Sequence, residues 1–318
     1  MNNPPKEFIE SSFLRPLLEK EGVTDISYNG ADIYYVTNEG GRFLYEKNYP
    51  KKDVGDFLRQ LANLTEKQFS FANPILDVSF GRYRLNATFM SLARYKNEKT
   101  YTFSLRLASE KCAIDDNDGF FSKEAEEILI KAVRSEESIV IGGLTGTGKT
   151  ELEKWLLSKA NLNSRIIVID NVEELDMVVN DNVDLTTWIS NENYPQASFS
   201  SLIKNSLRNN PDYVIVAEAR GKEMLDALTS VMSGHPIITS IHSKDLESMP
   251  ERMARLCMLS EQKLYIDALL SDIAHHFKYF VYLEKETVDG SVIRYVSSIG
   301  VMNPKTQQIE SVYERSKK

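Results

Sequence analysis

The sequence predicts an α+β domain on an antiparallel sheet, followed by an α/β domain with a mostly parallel sheet. Three observations predict it. In the first 110 or so residues, short β-like runs alternate with helical patterns, and turn signals at Asn29-Gly30, Glu39-Gly40-Gly41 and Phe80-Gly81 separate them. From Ser122 onward, continuous apolar runs at 138–142, 165–169, 213–217 and 236–241 alternate with amphipathic stretches. Uninterrupted apolar runs indicate strands covered on both faces, hence parallel pairing. Third, a glycine-rich segment at 143–150 joins one such run to a helical pattern. The expected division is an amino-terminal domain over 1–114, an acidic linker over 115–121 and a second domain over 122–318.

In chain order, a helix is expected over Phe8 to Lys20. A second covers Asp53 to Leu64, where Phe57, Leu58, Leu61 and Leu64 share a face. Strands are expected at Asp32–Val36 and Tyr101–Leu105. The run Asp115-Asp116-Asn117-Asp118-Gly119 has no apolar periodicity and reads as the linker. Near the carboxyl end, Phe277–Leu283 and Val292–Val301 flank Asp289-Gly290 and read as a hairpin.

The segment Gly143-Leu144-Thr145-Gly146-Thr147-Gly148-Lys149-Thr150 fits the phosphate-binding pattern GxxxxGK[ST] at every fixed position. At average residue usage, a match in a chain this long is about a one per cent chance event. Glycines let successive backbone N–H groups turn inward around phosphate oxygens, and the following helix adds partial positive charge. Gly143, Thr145, Gly146, Thr147, Gly148, Lys149, Thr150 and Glu151 are therefore candidate contacts to ATP. Lys149 would reach the β- and γ-phosphates, and Thr150 would ligate Mg²⁺.

Each later strand exit supplies a further polar group. Asp170, Glu173 and Glu174 follow the run at 165–169, Glu218 and Arg220 follow 213–217, and His242 follows 236–241. Ligands of open parallel sheets gather at such exits. Hydrolysis needs a carboxylate to orient or deprotonate water and a charge network around the metal. Glu218 is the candidate for that role and a second ligand to Mg²⁺, with Asp170 or Glu174 as the second carboxylate. His242 could bond the γ-phosphate or sense its loss; Arg220 and Arg208 could couple it to a neighbouring element. A strand-end carboxylate can equally be an N-cap, so the reading rests on the ordered set.

Composition narrows the classes. Apolar residues make up 42% and charged residues 26%, as in globular proteins, and no segment reaches the uncharged length of a membrane helix. The start lacks the apolar core of a signal peptide, and two distant cysteines make no metal spacing, so a cytoplasmic protein is expected. A net charge of −8 argues against broad nucleic-acid binding.

Taken together, these segments resemble the secretion or traffic ATPases of type II and type IV secretion, type IV pili and Tad/Flp pilus assembly. Asp170-Asn171-Val172-Glu173-Glu174-Leu175 is similar to the family's Asp box. Pro211 to Gly221 resembles its Walker B segment, Gly234-His235 to His242 its His box, and Arg255-Leu256-Cys257 a downstream helix. Val23 to Gly30, Pro74 to Asp77, Arg84 to Ala87 and Ser104 to Arg106 resemble the type IV secretion and Tad branch. The resemblance implies a RecA-like P-loop NTPase domain preceded by a PAS-like domain, and a homohexamer docked on a membrane platform. It also implies that Arg106 and Arg84 reach the nucleotide phosphates. Two departures bear on turnover: Asn171 stands where the family has an acid, and Pro236 follows the Gly-His pair. An ATP-binding scaffold with little hydrolysis and a nucleic-acid translocase are the alternatives.

Overall fold

The computed structural model describes residues 3–109, 112–115, 119–172, 175, 183–192, 194–288 and 291–316. Asp116 to Asp118, Glu173, Glu174 and the expected Asp289-Gly290 turn lie outside these residues. The chain divides into two compact units. One comprises Met1–Glu110 with Val172–Glu174 and Thr287–Val292; the other comprises Lys111–Asn171, Leu175–Glu286 and Ile293–Lys318.

The amino-terminal unit opens with two short helices, α1 (Pro4–Glu10) and α2 (Arg15–Leu18), where one helix is expected from Phe8 to Lys20. The break has a local cause. Pro16 has no N–H to give the Ser12 carbonyl, and the Ser11 and Ser12 hydroxyls donate back to the Glu7 and Ile9 carbonyls. Strands β1 (Val23–Tyr28), β2 (Ile33–Thr37) and β3 (Arg42–Tyr45) precede helix α3 (Lys51–Leu64). Strands β4 (Ile75–Phe80), β5 (Tyr83–Thr88), the short pair β6 (Arg94–Tyr95) and β7 (Glu98–Lys99), and β8 (Thr102–Leu107) follow. The sheet runs β3-β2-β1-β8-β5-β4 with antiparallel neighbours throughout. Its buried face takes the Val54, Phe57, Leu58 and Leu61 stripe of α3.

In the second unit the order is α4 (Lys123–Arg134), β9 (Ile139–Gly143), α5 (Lys149–Lys159), β10 (Arg165–Asp170) and β11 (Asp184–Ile189). Then come α6 (Phe199–Ser206), β12 (Tyr213–Val216), α7 (Glu223–Met232), β13 (Ile237–Ile241), α8 (Met249–Cys257) and α9 (Ile266–His276). Strands β14 (Tyr279–Val288), β15 (Ser291–Asn303) and β16 (Gln308–Glu314) close the chain. The sheet order is β11-β10-β12-β13-β9-β14-β15-β16, parallel from β11 to β14 and antiparallel between β15 and β16.

Successive side chains of the central strands enter opposite cores, which is why their sequences are apolar without alternation. Ile139, Ile141, Ile166 and Val168 pack with α4 and α5 residues such as Leu129, Leu152 and Trp155. Val140, Ile167, Ile169, Val214 and Val216 pack with α7, α8 and α9. This arrangement positions the carboxyl ends of β9, β10, β12 and β13 side by side.

Candidate active site

Strand β9 ends on Gly142-Gly143, and the chain turns through Leu144 to Gly148 before α5 starts at Lys149. The turn needs its glycines. Gly146 and Gly148 sit at φ +76° and +96°, where a β-carbon would be strained. Gly148 is the N-cap of α5 and supplies no side-chain cap, so the first-turn amides remain available to an anion. Thr147 is buried and its hydroxyl donates to the Leu144 carbonyl at 2.9 Å.

Lys149 is 8% exposed. Its Nζ donates to the Gly143 and Leu144 carbonyls at 3.1 and 3.2 Å and lies 3.3 Å from His242 Nδ1. Burial lowers its pKa, against the opposing pull of Glu218 and Glu153.

Glu218 is placed by backbone on both sides. Ala217 N–H donates to the Ile169 carbonyl and Ala219 N–H to the Ser240 carbonyl, so the residue between them projects from the exit of β12. Its Oε1 lies 2.9 Å from His242 Nε2, and its Oε2 accepts from Arg220 at 2.6 Å. Burial raises the Glu218 pKa, but the Arg220 hydrogen bond and charge, with His242 and Lys149, outweigh it and hold the carboxyl below its ordinary value. A continuous path therefore runs Lys149–His242–Glu218–Arg220. The ammonium can donate to Nδ1 while a proton on Nε2 faces the carboxylate, although the Nε2–Oε1 approach lies outside hydrogen-bond geometry and acts as a close charge contact.

The other predicted residues are distributed around this path. Asp170 ends β10, is buried, and accepts from the N–H of Asn171 at 2.7 Å. Thr150 is half-buried in the first turn of α5. Glu151 accepts from Ala113 N–H at 2.7 Å and pairs with the fully buried Lys154 at 2.9 Å. Glu174 lies outside the described residues. Arg208 is exposed just past α6. In the amino-terminal unit, Arg84 and Arg106 are cross-strand partners, and Arg106 Nε lies 3.3 Å from Asp25 Oδ1.

An ionised carboxylate and a hydroxyl form an all-oxygen donor set, which fits a Mg²⁺ ion that takes most of its remaining ligands from phosphates and water. Glu218 and Thr150 offer these two donor types.

Glu153 was not singled out from sequence, because charged neighbours at 151 and 154 make that stretch of α5 read as a solvated face. It is fully buried, and neither carboxylate oxygen has a well-formed hydrogen bond among the described residues. The nearby Ser240 hydroxyl is committed to the Ala217 carbonyl. Burial, reinforced by the charges of Asp170 and Glu218, raises its pKa well above the carboxylate range, against Ser240 and Lys149. A raised folded-state pKa favours the fold fully below the unfolded pKa and loses that favour as pH climbs toward the folded value. Glu153→Gln is expected to remove a decline of up to about 1.4 kcal/mol per pH unit above pH ~4.5. Unfolding midpoints of wild type and variant between pH 5 and 8 check it; parallel profiles would refute it.

A family model described as type II/IV secretion system protein matches residues 99–276, more than half of the chain. An uncharacterised protein of Bacillus anthracis is 27% identical over 302 residues, covering 90% of this chain and 66% of that protein. The type IV secretion system protein VirB11 of Brucella suis is 34% identical over 139 residues, covering 42% of this chain and 38% of VirB11. This chain thus spans less than two thirds of the length of either relative. Among solved structures, the Yersinia pseudotuberculosis ATPase DotB superposes with a TM-score of 0.69 at 14% identity, covering 94% of this chain and 81% of that one.

Proposed function

The chain belongs to the type II/IV secretion system protein family, and from that premise we propose that it is an ATP-hydrolysing motor of a type IV secretion, conjugation or pilus-assembly machine. The observation that carries this reading is the path from Lys149 through His242 to Glu218 and Arg220 at the mouth of the phosphate loop. It joins a cation suited to phosphate, a carboxylate held ionised, and two groups that orient it.

On this reading the loop amides and Lys149 bind the β- and γ-phosphates. Thr150 and Glu218 would hold Mg²⁺, which when bound would supply charge neutralisation to the phosphate oxygens. Glu218, held by Arg220 and His242, orients a water for attack on the γ-phosphorus and takes up its proton as the β–γ bridging bond breaks. Asp170 and Glu174 are proposed to add outer carboxylate charge.

Arg106, with Arg84, is proposed to contact the same phosphates from the amino-terminal domain over residues 1–114. Cleavage would then release that contact and let the domain move, with nucleotide favouring the closed arrangement by differential affinity. Arg106→Ala is expected to weaken nucleotide binding roughly tenfold, the order of one charge-assisted hydrogen bond. Small-angle scattering with and without a non-hydrolysable analogue should show the compaction lost in the variant; equal compaction would exclude the role.

Assembly as a homohexamer against a membrane platform is part of the same proposal. Among the described residues no helix is long and apolar enough to cross a membrane. The deciding experiment is phosphate release from MgATP by the purified full chain. Tight ATP binding without release would assign the chain to a scaffold role, and strong stimulation by DNA would assign it to translocation.

A further inference from the structure

Two cations from the carboxyl-terminal strands hold the outer side of the phosphate loop. Lys285 of β14 donates from Nζ to the Thr145 carbonyl at 2.8 Å, and Arg294 of β15 donates from Nε to the Gly146 carbonyl at 2.9 Å. The strands are neighbours in the sheet. Both side chains lie against the glycines of the loop. A β-carbon at Gly146 would sit 3.2 Å from Lys285 Nζ, and one at Gly148 would sit 3.8 Å from Arg294 Cδ.

In a trans peptide the C=O of one residue and the N–H of the next point in opposite directions. The Leu144 carbonyl already accepts from Thr147 Oγ1 and Lys149 Nζ. With Lys285 and Arg294 included, three successive carbonyls, of Leu144, Thr145 and Gly146, are held by side-chain donors. The N–H groups of Thr145, Gly146 and Thr147 are thereby turned to the opposite side of their peptide planes. That fixation matters because Leu144, Thr145 and Gly146 are exposed, so packing contributes little to holding them. Glycine at 146 also allows its flanking peptide planes to rotate readily. A rotated plane would present a carbonyl oxygen where an anion needs a donor.

We propose that Lys285 and Arg294 are positioning residues that lock the phosphate loop in its anion-receiving form. Their charges would also attract an anion received by those N–H groups without touching it. The inference rests on the nucleotide reading of the loop and adds to it a control point on β14 and β15, outside all of the motif residues.

The test uses the full-length protein carrying Lys285→Met or Arg294→Met, with Lys285→Arg and Arg294→Lys as donor-restoring variants. Titration with a fluorescent ADP analogue and Mg²⁺ should show about tenfold weaker binding in each methionine variant, the order of one charge-assisted hydrogen bond. Binding should recover in the donor-restoring variants. Backbone ¹⁵N relaxation at Gly146 and Thr147 in the nucleotide-free protein should show lower order parameters in the methionine variants, with an unchanged melting temperature. Unchanged ADP affinity, or equal loss in the methionine and donor-restoring variants, overturns the proposal. The relaxation measurement stands apart from nucleotide binding. If wild type bound no nucleotide, the functional reading would fall, while unaltered order parameters at Gly146 and Thr147 would by themselves overturn the lock.

Discussion

Replacing Lys149 with alanine is expected to weaken MgATP binding by at least about a hundredfold, because two charge-assisted contacts to phosphate are removed together. The ligand-free structure sharpens this expectation. Lys149 Nζ now satisfies the carbonyls of Gly143 and Leu144 and touches His242 Nδ1. Alanine leaves those two carbonyls without their cation, so the loop loses an internal tie as well as a ligand contact. Its buried position means that water does not screen the lost charge as it would at the surface. Isothermal titration of wild type and variant measures the loss. An affinity equal to wild type would refute the phosphate role of the loop and, with it, the motor reading.

The second large effect is expected from Glu218→Gln, which should lower kcat by about 10²- to 10⁴-fold, the range for removing a general base. The amide keeps the shape of the carboxylate, and its oxygen can still accept from Arg220. Binding of MgATP should therefore stay within a few-fold of wild type while turnover is lost, a pattern that separates chemistry from affinity. The amide also presents a donor toward His242 Nε2, which now faces Glu218 Oε1 at 2.9 Å, so the imidazole must change tautomer or turn away. Full turnover in the variant would move the base to Glu174 or Asp170.

Acid has opposite effects at half-buried Glu218 and fully buried Glu153. Arg220, His242 and Lys149 hold the Glu218 pKa below its ordinary value. As a base that acts when ionised, it should sustain wild-type turnover down to about pH 5, provided the fold persists. Its contribution to stability is present above the unfolded pKa and lost as pH falls through the depressed folded value. Glu153 contributes in the reverse sense, because burial raises its pKa. Turnover measured from pH 5 to 8 checks the first expectation; a wild-type acid limb near pH 6 with an intact fold would contradict it.

Local patterns carried most of the active-site order. An apolar run followed by a polar residue was enough to locate β9 before the loop, β12 before Glu218 and β13 before His242. A buried parallel strand has to be apolar on both faces, and its exit is the first place a polar group can stand. The family resemblance rested on these segments and on four in the amino-terminal domain, and the family match covers residues 99–276. Edge strands were harder to read. Strand β11 is half-exposed and its Asp-Leu-Thr-Thr-Trp-Ile run is only partly apolar, and β16 is mostly exposed. The amino-terminal helix failed at Ser11, Ser12 and Pro16, where hydroxyls and a missing N–H outweighed apolar spacing.

The sequence alone determined the glycine-rich loop before α5 and the strand exits, because both depend on chemistry within a few neighbouring residues. The tertiary structure alone decided that Glu153 is buried without a well-formed hydrogen bond among the described residues, that Arg106 faces Asp25, and that Lys285 and Arg294 reach the loop carbonyls. Their environments are assembled from segments as far apart as residues 25 and 106, or 146 and 294. The charge on a side chain is written in its own code letter, but whether that charge is solvated, paired or stranded depends on which distant strand the sheet brings beside it.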